Sequence, residues 1–181
     1  MTYPAESLRH GRVRLRRVRR TDEETLHRLI NESLEHLRPW MAWVSAAGEH
    51  PRGAVREFLD RAKEKWLAGD AYSYVVVVDG EIVGTCSLEN RIGPGGLEIG
   101  YWLHPAFTGR GYATEAAAAL ITAAFALPGI ERVQIWHDAA NTASGGVPRR
   151  LGFTEIARLS PPRERQLPGE VGVDVVWELR R

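Results

Sequence analysis

The stretch from His104 to Ala116 carries the residues whose types and spacing point most directly to chemistry. An alternating apolar segment, Leu97 to Leu103, runs into it, an Ala-rich segment follows it, and Gly109 and Gly111 lie between the two. The first N–H groups of a helix have no partner within the helix, and the helix dipole places roughly half a positive charge at that end. This strand, turn and helix start therefore predict an anion site for a phosphate or pyrophosphate, with glycine letting the ligand approach the backbone.

Two common phosphate-binding loops do not match this turn. The nucleoside-triphosphate loop requires a lysine directly after its last glycine, and no lysine follows Gly111. The dinucleotide fingerprint requires a third glycine, and Thr114 stands at that position. Because a bare G-x-G also occurs in ordinary turns, these residues alone leave both an anion site and a plain turn open.

A second motif follows about thirty residues further on and has the spacing N-x-x-S-x-x-V-x-x-x-L-G-F, from Asn141 to Phe153. Together with G-R-G-Y-A-T-E-A, from Gly109 to Ala116, it resembles the GNAT superfamily of acyl-CoA N-acyltransferases, and within it the Rim-type (RimJ/RimL-like) branch. The resemblance extends from the Arg-rich segment 13–16 to residues 174–177 and is strongest from Leu97 to Phe153.

The resemblance implies a mixed α+β fold in one domain, residues 1–181. Its central sheet is mostly antiparallel, with about seven strands flanked by about four helices. The sheet is splayed between its fourth and fifth strands, here Leu97–Leu103 and Val133–Trp136, and the pantetheine arm of coenzyme A lies in the gap. Gly100 suits a place where strands part or a ligand approaches.

Acetyl-CoA is the cosubstrate that the resemblance implies, with no metal. The residues expected to bind it lie on the fourth strand, in the glycine turn and after the fifth strand: Trp102, Leu103, Thr108, Gly109, Arg110, Gly111, Tyr112, Ala113 and Asn141. Thr108 departs from the glutamine or arginine usual in the family, which puts a side-chain contact in doubt and leaves the backbone contacts. Arg110 either adds charge at the site or is simply solvated.

The implied reaction is direct attack of an amine on the thioester, and it needs a proton acceptor because an amine with a pKa near 8 to 10 is mostly protonated at neutral pH. Glu98, on the strand that carries the thioester, is the candidate base, although a carboxylate on a wet sheet face is the plainer alternative. Ser144 is the candidate donor to the leaving sulfur, and Asn141 binds pantetheine or orients a water. Helix capping explains Asn141 and Ser144 equally well. The backbone N–H near Trp102 or Leu103 would polarise the carbonyl.

The acceptor end is less specified. Trp40 and Trp43 lie in a loop that borders the acceptor pocket in relatives, and Tyr101 lies on the fourth strand. Aromatic side chains there suit a peptide N-terminus or a drug-like amine, and a loop anchored to the core is an equal reading.

The elements that must position these residues follow from hydrophobic periodicity. Helices are expected from a capping box at Thr21 and Glu24 to Glu35, over Arg52–Leu67 and over Tyr112–Leu127, with a short one that starts late, at Pro148, because Gly145 and Gly146 disfavour helix. The other strands are expected at Val13–Arg17, Tyr72–Val78, Ile82–Leu88, Phe153–Ala157 and Val171–Glu178.

Composition excludes several other classes. The net charge of +1 argues against a dedicated nucleic-acid binder, and the arginines between residues 9 and 20 alternate with apolar residues as in an outer strand. No apolar run reaches the roughly 20 residues of a membrane span, and no secretory h-region opens the chain. A single cysteine favours a cytoplasmic protein, and the six scattered histidines form no ligand pair, which argues against a metal site.

The sequence thus predicts an acetyl-CoA-dependent N-acetyltransferase, a monomer or homodimer, whose acceptor is a protein α-amino group or a small-molecule amine. Two alternatives remain: an acyl-CoA-binding sensor or interaction module without turnover, and an acyltransferase for another donor such as succinyl-CoA.

Overall fold

The computed structural model describes residues 2–181, which form one eight-stranded sheet flanked by helices. The strands are β1 (Ser7–His10), β2 (Val13–Arg17), β3 (Ala71–Val78), β4 (Glu81–Glu89), β5 (Gly96–Leu103), β6 (Arg132–Asp138), β7 (Thr154–Leu159) and β8 (Asp174–Arg180). The helices are α1 (Glu23–Glu32), α2 (Leu34–Leu37), α3 (Arg52–Ala68), α4 (Tyr112–Ala126) and α5 (Thr142–Arg150). The strand order is β1-β2-β3-β4-β5-β6-β8-β7, and β5–β6 is the parallel pair in an otherwise antiparallel sheet. The expected mixed α+β architecture is confirmed.

Helices cover both faces of the sheet, and β3 shows how the sequence divides them. Its side chains are buried along its whole length, as expected for a central strand with a run of valines. Because successive side chains point to opposite faces, Val76 and Val78 pack with the alanines of α4, whereas Val75 and Val77 pack with α1 and α3. The Ala-rich α4 lies close to the sheet since its buried positions are small.

The sheet splits between β5 and β6. The two strands pair only over Gly96–Glu98 and Arg132–Gln134. Beyond these residues, β5 continues to Leu103 and β6 to Asp138, and the two strands no longer pair with each other. β6 remains paired with β8 and β5 with β4, so each half of the split sheet is held from its outer side. The expected splay is confirmed, and it begins directly after Glu98.

Three expectations about the N-terminal elements and the last hairpin are corrected. An eighth strand, β1, was missed because only one of its four residues is even partly buried, so it carries no hydrophobic alternation. Thr21 does not cap a helix: it lies in a 3-10 turn in which the Asp22 carboxylate accepts from the Arg19 N–H at 2.7 Å. The last strand, β8, starts at Asp174 and not at Val171, because the backbone N–H groups of residues 171–173 bind the Asp138 carboxylate instead of a neighbouring strand.

The start of α5 is also corrected, from Pro148 to Thr142. Asn141 is its N-cap and accepts from the Ser144 N–H at 3.2 Å. Gly145 serves packing, since a Cβ there would lie 2.7 Å from the His137 ring. Pro148 removes the N–H that would bind the Ser144 carbonyl in a regular helix, and the Tyr101 hydroxyl donates to that carbonyl at 3.0 Å instead. Tertiary contacts therefore stabilise a helix that propensity disfavours.

Candidate active site

A groove of about 720 Å³ opens at the split. It is lined by the unpaired part of β5, the end of β6, the first turn of α5, one side of α3 and two loops, residues 38–51 and 160–173. The two loops meet over it, where the Gly169 N–H donates to the Pro39 carbonyl at 3.3 Å. Its size is that of an ordinary small-molecule or cofactor site.

The glycine turn lies at the N-terminus of α4. Gly109 and Gly111 have φ of 71° and 85°, in the left-handed region that glycine adopts without strain. Gly111 is the N-cap, and its carbonyl accepts the first helical hydrogen bond, from the Glu115 N–H at 3.0 Å. Within residues 2–181, the N–H groups of residues 109–114 donate to no protein acceptor. Those amides are available to an anion, as the sequence predicts.

Arginines surround this turn. The Arg12 guanidinium donates to the Arg110 carbonyl at 2.7 Å, and the Arg150 Nε donates to the Thr114 hydroxyl at 3.1 Å. The Arg110 guanidinium lies 5.8 Å from the Phe107 ring centroid. The Thr108 hydroxyl donates to the Pro105 carbonyl at 2.9 Å, so this side chain is engaged within the turn. The surroundings are electropositive, which suits a ligand that carries phosphates.

Glu98 lies at the fork, where β5 pairs with Gln134 of β6 for the last time. It is only 3% exposed and so does not lie on a wet sheet face. Its carboxylate accepts from Arg91 at 2.5 Å and from two nitrogens of Arg163 at 2.8 and 3.0 Å. The Arg163 guanidinium also stacks on the Trp136 ring, 4.0 Å from its centroid. Two guanidinium groups thus neutralise the buried carboxylate.

Tyr101, Ser144 and Asn141 come together across the split. The Tyr101 oxygen lies 3.3 Å from the Ser144 hydroxyl and 3.0 Å from the Ser144 carbonyl. Burial raises the pKa of Tyr101 to about 12, so the phenol stays protonated at neutral pH. Asn141 caps the helix by accepting from the Ser144 backbone N–H, and both residues also line the groove, so capping does not remove them as candidate site residues.

The other predicted acceptor residues lie at the far end of the groove. Trp40 and Trp43 line it. Trp43 is 47% exposed, and its ring centroid lies 5.9 Å from that of Trp102 and 5.8 Å from that of His50. Burial, followed by the charge of His27, lowers the pKa of His50, so a neutral imidazole lies beside this aromatic group at neutral pH. Trp102 and Leu103 lie on β5 beyond the fork, where their backbone has no partner in β6.

Sequence reasoning missed several residues of the groove, above all the two arginines that bind Glu98. Arg163 is 65 positions from Glu98 and lies in a loop without periodicity, and Arg91 lies in the turn between β4 and β5. His137 and Asp138 were also missed. The His137 ring accepts from the Trp177 Nε1 at 2.9 Å, and Asp138 anchors the loop at residues 171–173. An aspartate at the end of an expected strand was the one sequence signal that could have been noticed.

Similar proteins place this combination of split sheet, glycine turn and groove in a known class. Residues 12–154 match the model of the Acetyltransferase (GNAT) domain. YdaF of Bacillus subtilis (strain 168) is named as a proposed ribosomal N-acetyltransferase. It is 31% identical to this chain over 147 residues, which cover 79% of this chain and 78% of YdaF.

Two solved structures are similar over nearly the whole chain. RimJ of Mycobacterium smegmatis, in complex with a CoA disulfide, is 25% identical with a TM-score of 0.85, covering 99% of this chain and 90% of RimJ. RimL, a ribosomal L7/L12 α-N-protein acetyltransferase in complex with coenzyme A, shares the fold at 24% identity and a TM-score of 0.84, covering 94% of each chain.

The chain is an acyltransferase. It belongs to the GNAT acetyltransferase family, with relatives in its Rim-type branch. None of the helices within residues 2–181 combines the length and the apolar run needed to cross a bilayer. In the same range, no group of three or more His, Cys, Asp or Glu side chains is arranged to hold a metal ion.

Proposed function

We propose that this protein is an acetyl-CoA-dependent N-acetyltransferase that modifies the α-amino group of a protein N-terminus by direct attack in a ternary complex. The observation that carries the proposal is the fork after Glu98, which opens a groove onto unpaired β5 backbone on the chain segment that leads into the glycine turn. A ligand with a thioester on a long flexible arm and a diphosphate at the other end of that arm would fit both features, the arm in the groove and the diphosphate at the glycine turn. The names of YdaF, a ribosomal N-acetyltransferase, and RimL, an α-N-protein acetyltransferase, favour a protein N-terminus as acceptor.

The cofactor would be held at both ends by backbone. The amides of Gly109 to Ala113 would donate to the diphosphate, supported by the α4 dipole. The pantetheine amides would pair with β5 beyond Glu98 as an added strand does, with Asn141 beside them. The backbone N–H near Trp102 or Leu103 would polarise the thioester carbonyl.

Proton removal from the amine is assigned to Glu98. A carboxylate has about four lone-pair sites, and the three contacts from Arg91 and Arg163 occupy three of them. One site remains, and the carboxylate is buried behind the two arginines. Glu98 would therefore act through a water bound at that remaining site, rather than by direct contact with the amine.

Stabilisation of the leaving sulfur is assigned to Ser144. Its hydroxyl would donate to the thiolate. The Tyr101 phenol, which stays protonated, donates to the Ser144 carbonyl at 3.0 Å, and its oxygen lies 3.3 Å from the serine hydroxyl. Tyr101 is thus a positioning residue for Ser144, and Trp40 and Trp43 would contact the acceptor.

Release of free thiol from acetyl-CoA tests the proposal. Acceptors would be peptides with free or blocked N-termini and an aminoglycoside, with succinyl-CoA as the alternative donor. We expect turnover with acetyl-CoA and free N-termini, and none with blocked ones. Turnover only with the aminoglycoside, or only with succinyl-CoA, would replace the acceptor or donor assignment. Coenzyme A binding without turnover of any amine would indicate a sensor instead of an enzyme.

A further inference from the structure

Arg12 connects the turn between β1 and β2 to the start of α4, about one hundred positions away along the chain. Its Nε and Nη2 donate to the Glu115 carboxylate at 3.1 and 2.8 Å, and its backbone N–H donates to the same carboxylate at 2.7 Å. Its Nη2 also donates to the Arg110 carbonyl at 2.7 Å, and its guanidinium lies 4.6 Å from the Tyr112 ring centroid. The side chain is nevertheless 57% exposed. It is thus held firmly at the surface of the glycine turn.

The contact to the Arg110 carbonyl fixes the orientation of one peptide plane. The carbonyl of Arg110 and the N–H of Gly111 belong to the same trans peptide and point in opposite directions. Because Arg12 binds the carbonyl on one side of the turn, the Gly111 N–H points to the other. Gly111, at φ 85°, has no side chain to resist rotation of this plane, so the orientation depends on the arginine.

Arg12 also compensates a charge that would oppose an anion. Glu115 lies in the first turn of α4, close to the amides that face the proposed diphosphate. Burial alone would raise the pKa of Glu115, but the hydrogen bonds from Arg12 outweigh burial and the pKa is lowered, so the group stays a carboxylate. Without Arg12, Glu115 would be an uncompensated negative charge in the first turn of α4 and would weaken the attraction of that helix end for an anion.

We propose that Arg12 is a positioning residue for the cofactor: it orients the Arg110–Gly111 peptide so that the Gly111 N–H faces the diphosphate, and it neutralises Glu115 beside it. This inference rests on the proposed binding of acetyl-CoA at the glycine turn. The alternative is a purely structural tie between the β1–β2 turn and α4, which would affect stability without regard to the ligand.

The test compares acyl donors with and without the diphosphate. For Arg12→Met, we expect kcat/KM to fall about 10-fold or more with acetyl-CoA, the size of one lost hydrogen bond to a charged group. With S-acetylpantetheine, which lacks the diphosphate, we expect no change. Calorimetry should show the same weakening in the Kd for coenzyme A. Equal losses with both donors, or no loss with either, would overturn the inference.

Two further variants separate orientation from charge and from stability. Lysine keeps the charge, but its Nζ takes the place of the arginine Cζ and so ends one bond short of the Nη2 that contacts both the Glu115 carboxylate and the Arg110 carbonyl. Arg12→Lys should therefore remain impaired toward coenzyme A, and full recovery would refute the orienting role. Arg17→Met is the matched control, because Arg17 also pairs with a carboxylate (Glu6, 2.7 Å) and stacks on an aromatic ring (Trp66, 4.5 Å) on β2.

The control should leave both donors unaffected. A wild-type protein that binds no coenzyme A refutes the proposed function itself. A wild-type protein that binds coenzyme A as tightly as its Arg12→Met variant refutes only the role of Arg12.

Discussion

Replacing Gly111 by valine should abolish cofactor binding while leaving a folded protein. Gly111 has φ 85°, and a Cβ added there would meet only the Arg12 Nη2, at 3.6 Å, so steric overlap is not the main effect. The cost is conformational: an L residue in the left-handed region loses about 1–2 kcal/mol. For a domain of this length that corresponds to a fall in Tm of about 2–8 °C. If the backbone at the valine relaxes to a negative φ, the peptide between residues 110 and 111 must rotate, and the N–H of residue 111 then points away from the anion site.

The chain offers a matched control in Gly80, in the turn between β3 and β4. Its φ is 84°, and a Cβ there would find no atom within 4 Å. Gly80→Val should therefore lower the Tm of the unliganded protein by a similar amount, because the backbone cost is the same. It should leave the cofactor site untouched.

A thermal shift assay distinguishes the two variants. Coenzyme A at one hundred times its Kd stabilises the fold by about 2.7 kcal/mol, which raises the Tm by about 5–10 °C for a protein of this size. The wild type and Gly80→Val should show this rise, and Gly111→Val should not. A full rise in Gly111→Val would refute the role assigned to the glycine turn, and failure of Gly111→Val to fold when Gly80→Val folds would refute the estimate of the backbone cost.

Three other changes have defined outcomes. Ser144→Ala should lower kcat about 10- to 100-fold, the value of a hydrogen bond to a developing charge, with little change in the KM for acetyl-CoA; an unchanged kcat would remove Ser144 from the mechanism. Asp138→Ala leaves four backbone N–H groups without their acceptor, including those of residues 171–173, and should lower the free energy of unfolding in urea by about 2–4 kcal/mol. Burial lowers the pKa of His137 below that of the unfolded chain, so the unfolded state binds more protons in acid; stability should be retained above about pH 6.5 and fall below it. His137→Gln keeps an acceptor for the Trp177 ring N–H and should make the urea midpoint fall less steeply as the pH is lowered. An equally steep fall in this variant would show that other groups cause the loss of stability in acid.

Local sequence predicted the elements whose signals are local. The helix expected at Arg52–Leu67 ends one residue later, at Ala68, and the one expected at Tyr112–Leu127 ends one residue earlier, at Ala126. In both, the apolar spacing lies within the segment itself and the residues that end the helix follow it directly. The glycine turn was placed correctly for the same reason, since positive φ and a helix start are properties of adjacent residues.

Elements that depend on distant partners were not predicted. Local propensity places the start of α5 at Pro148, but Gly145 leaves room for the His137 ring and Tyr101 binds the carbonyl that the proline leaves unpaired. In the candidate site, Glu98 could be singled out because it lies on a recognisable strand. Its partner Arg163 could not, because no local pattern indicates which loop arginine reaches a carboxylate 65 positions away.

The contact between Tyr101 and Ser144 has a mechanical consequence. It joins β5 to α5 across the gap where the sheet splits. One phenol thus connects two sides of the groove that share no strand pairing at this point. The separation of β5 and α5 at this point is therefore fixed without a ligand, and a molecule that occupies the groove would not have to wedge the sheet apart. Tyr101→Phe would remove this hydrogen bond, so that β5 and α5 could move relative to each other at this point.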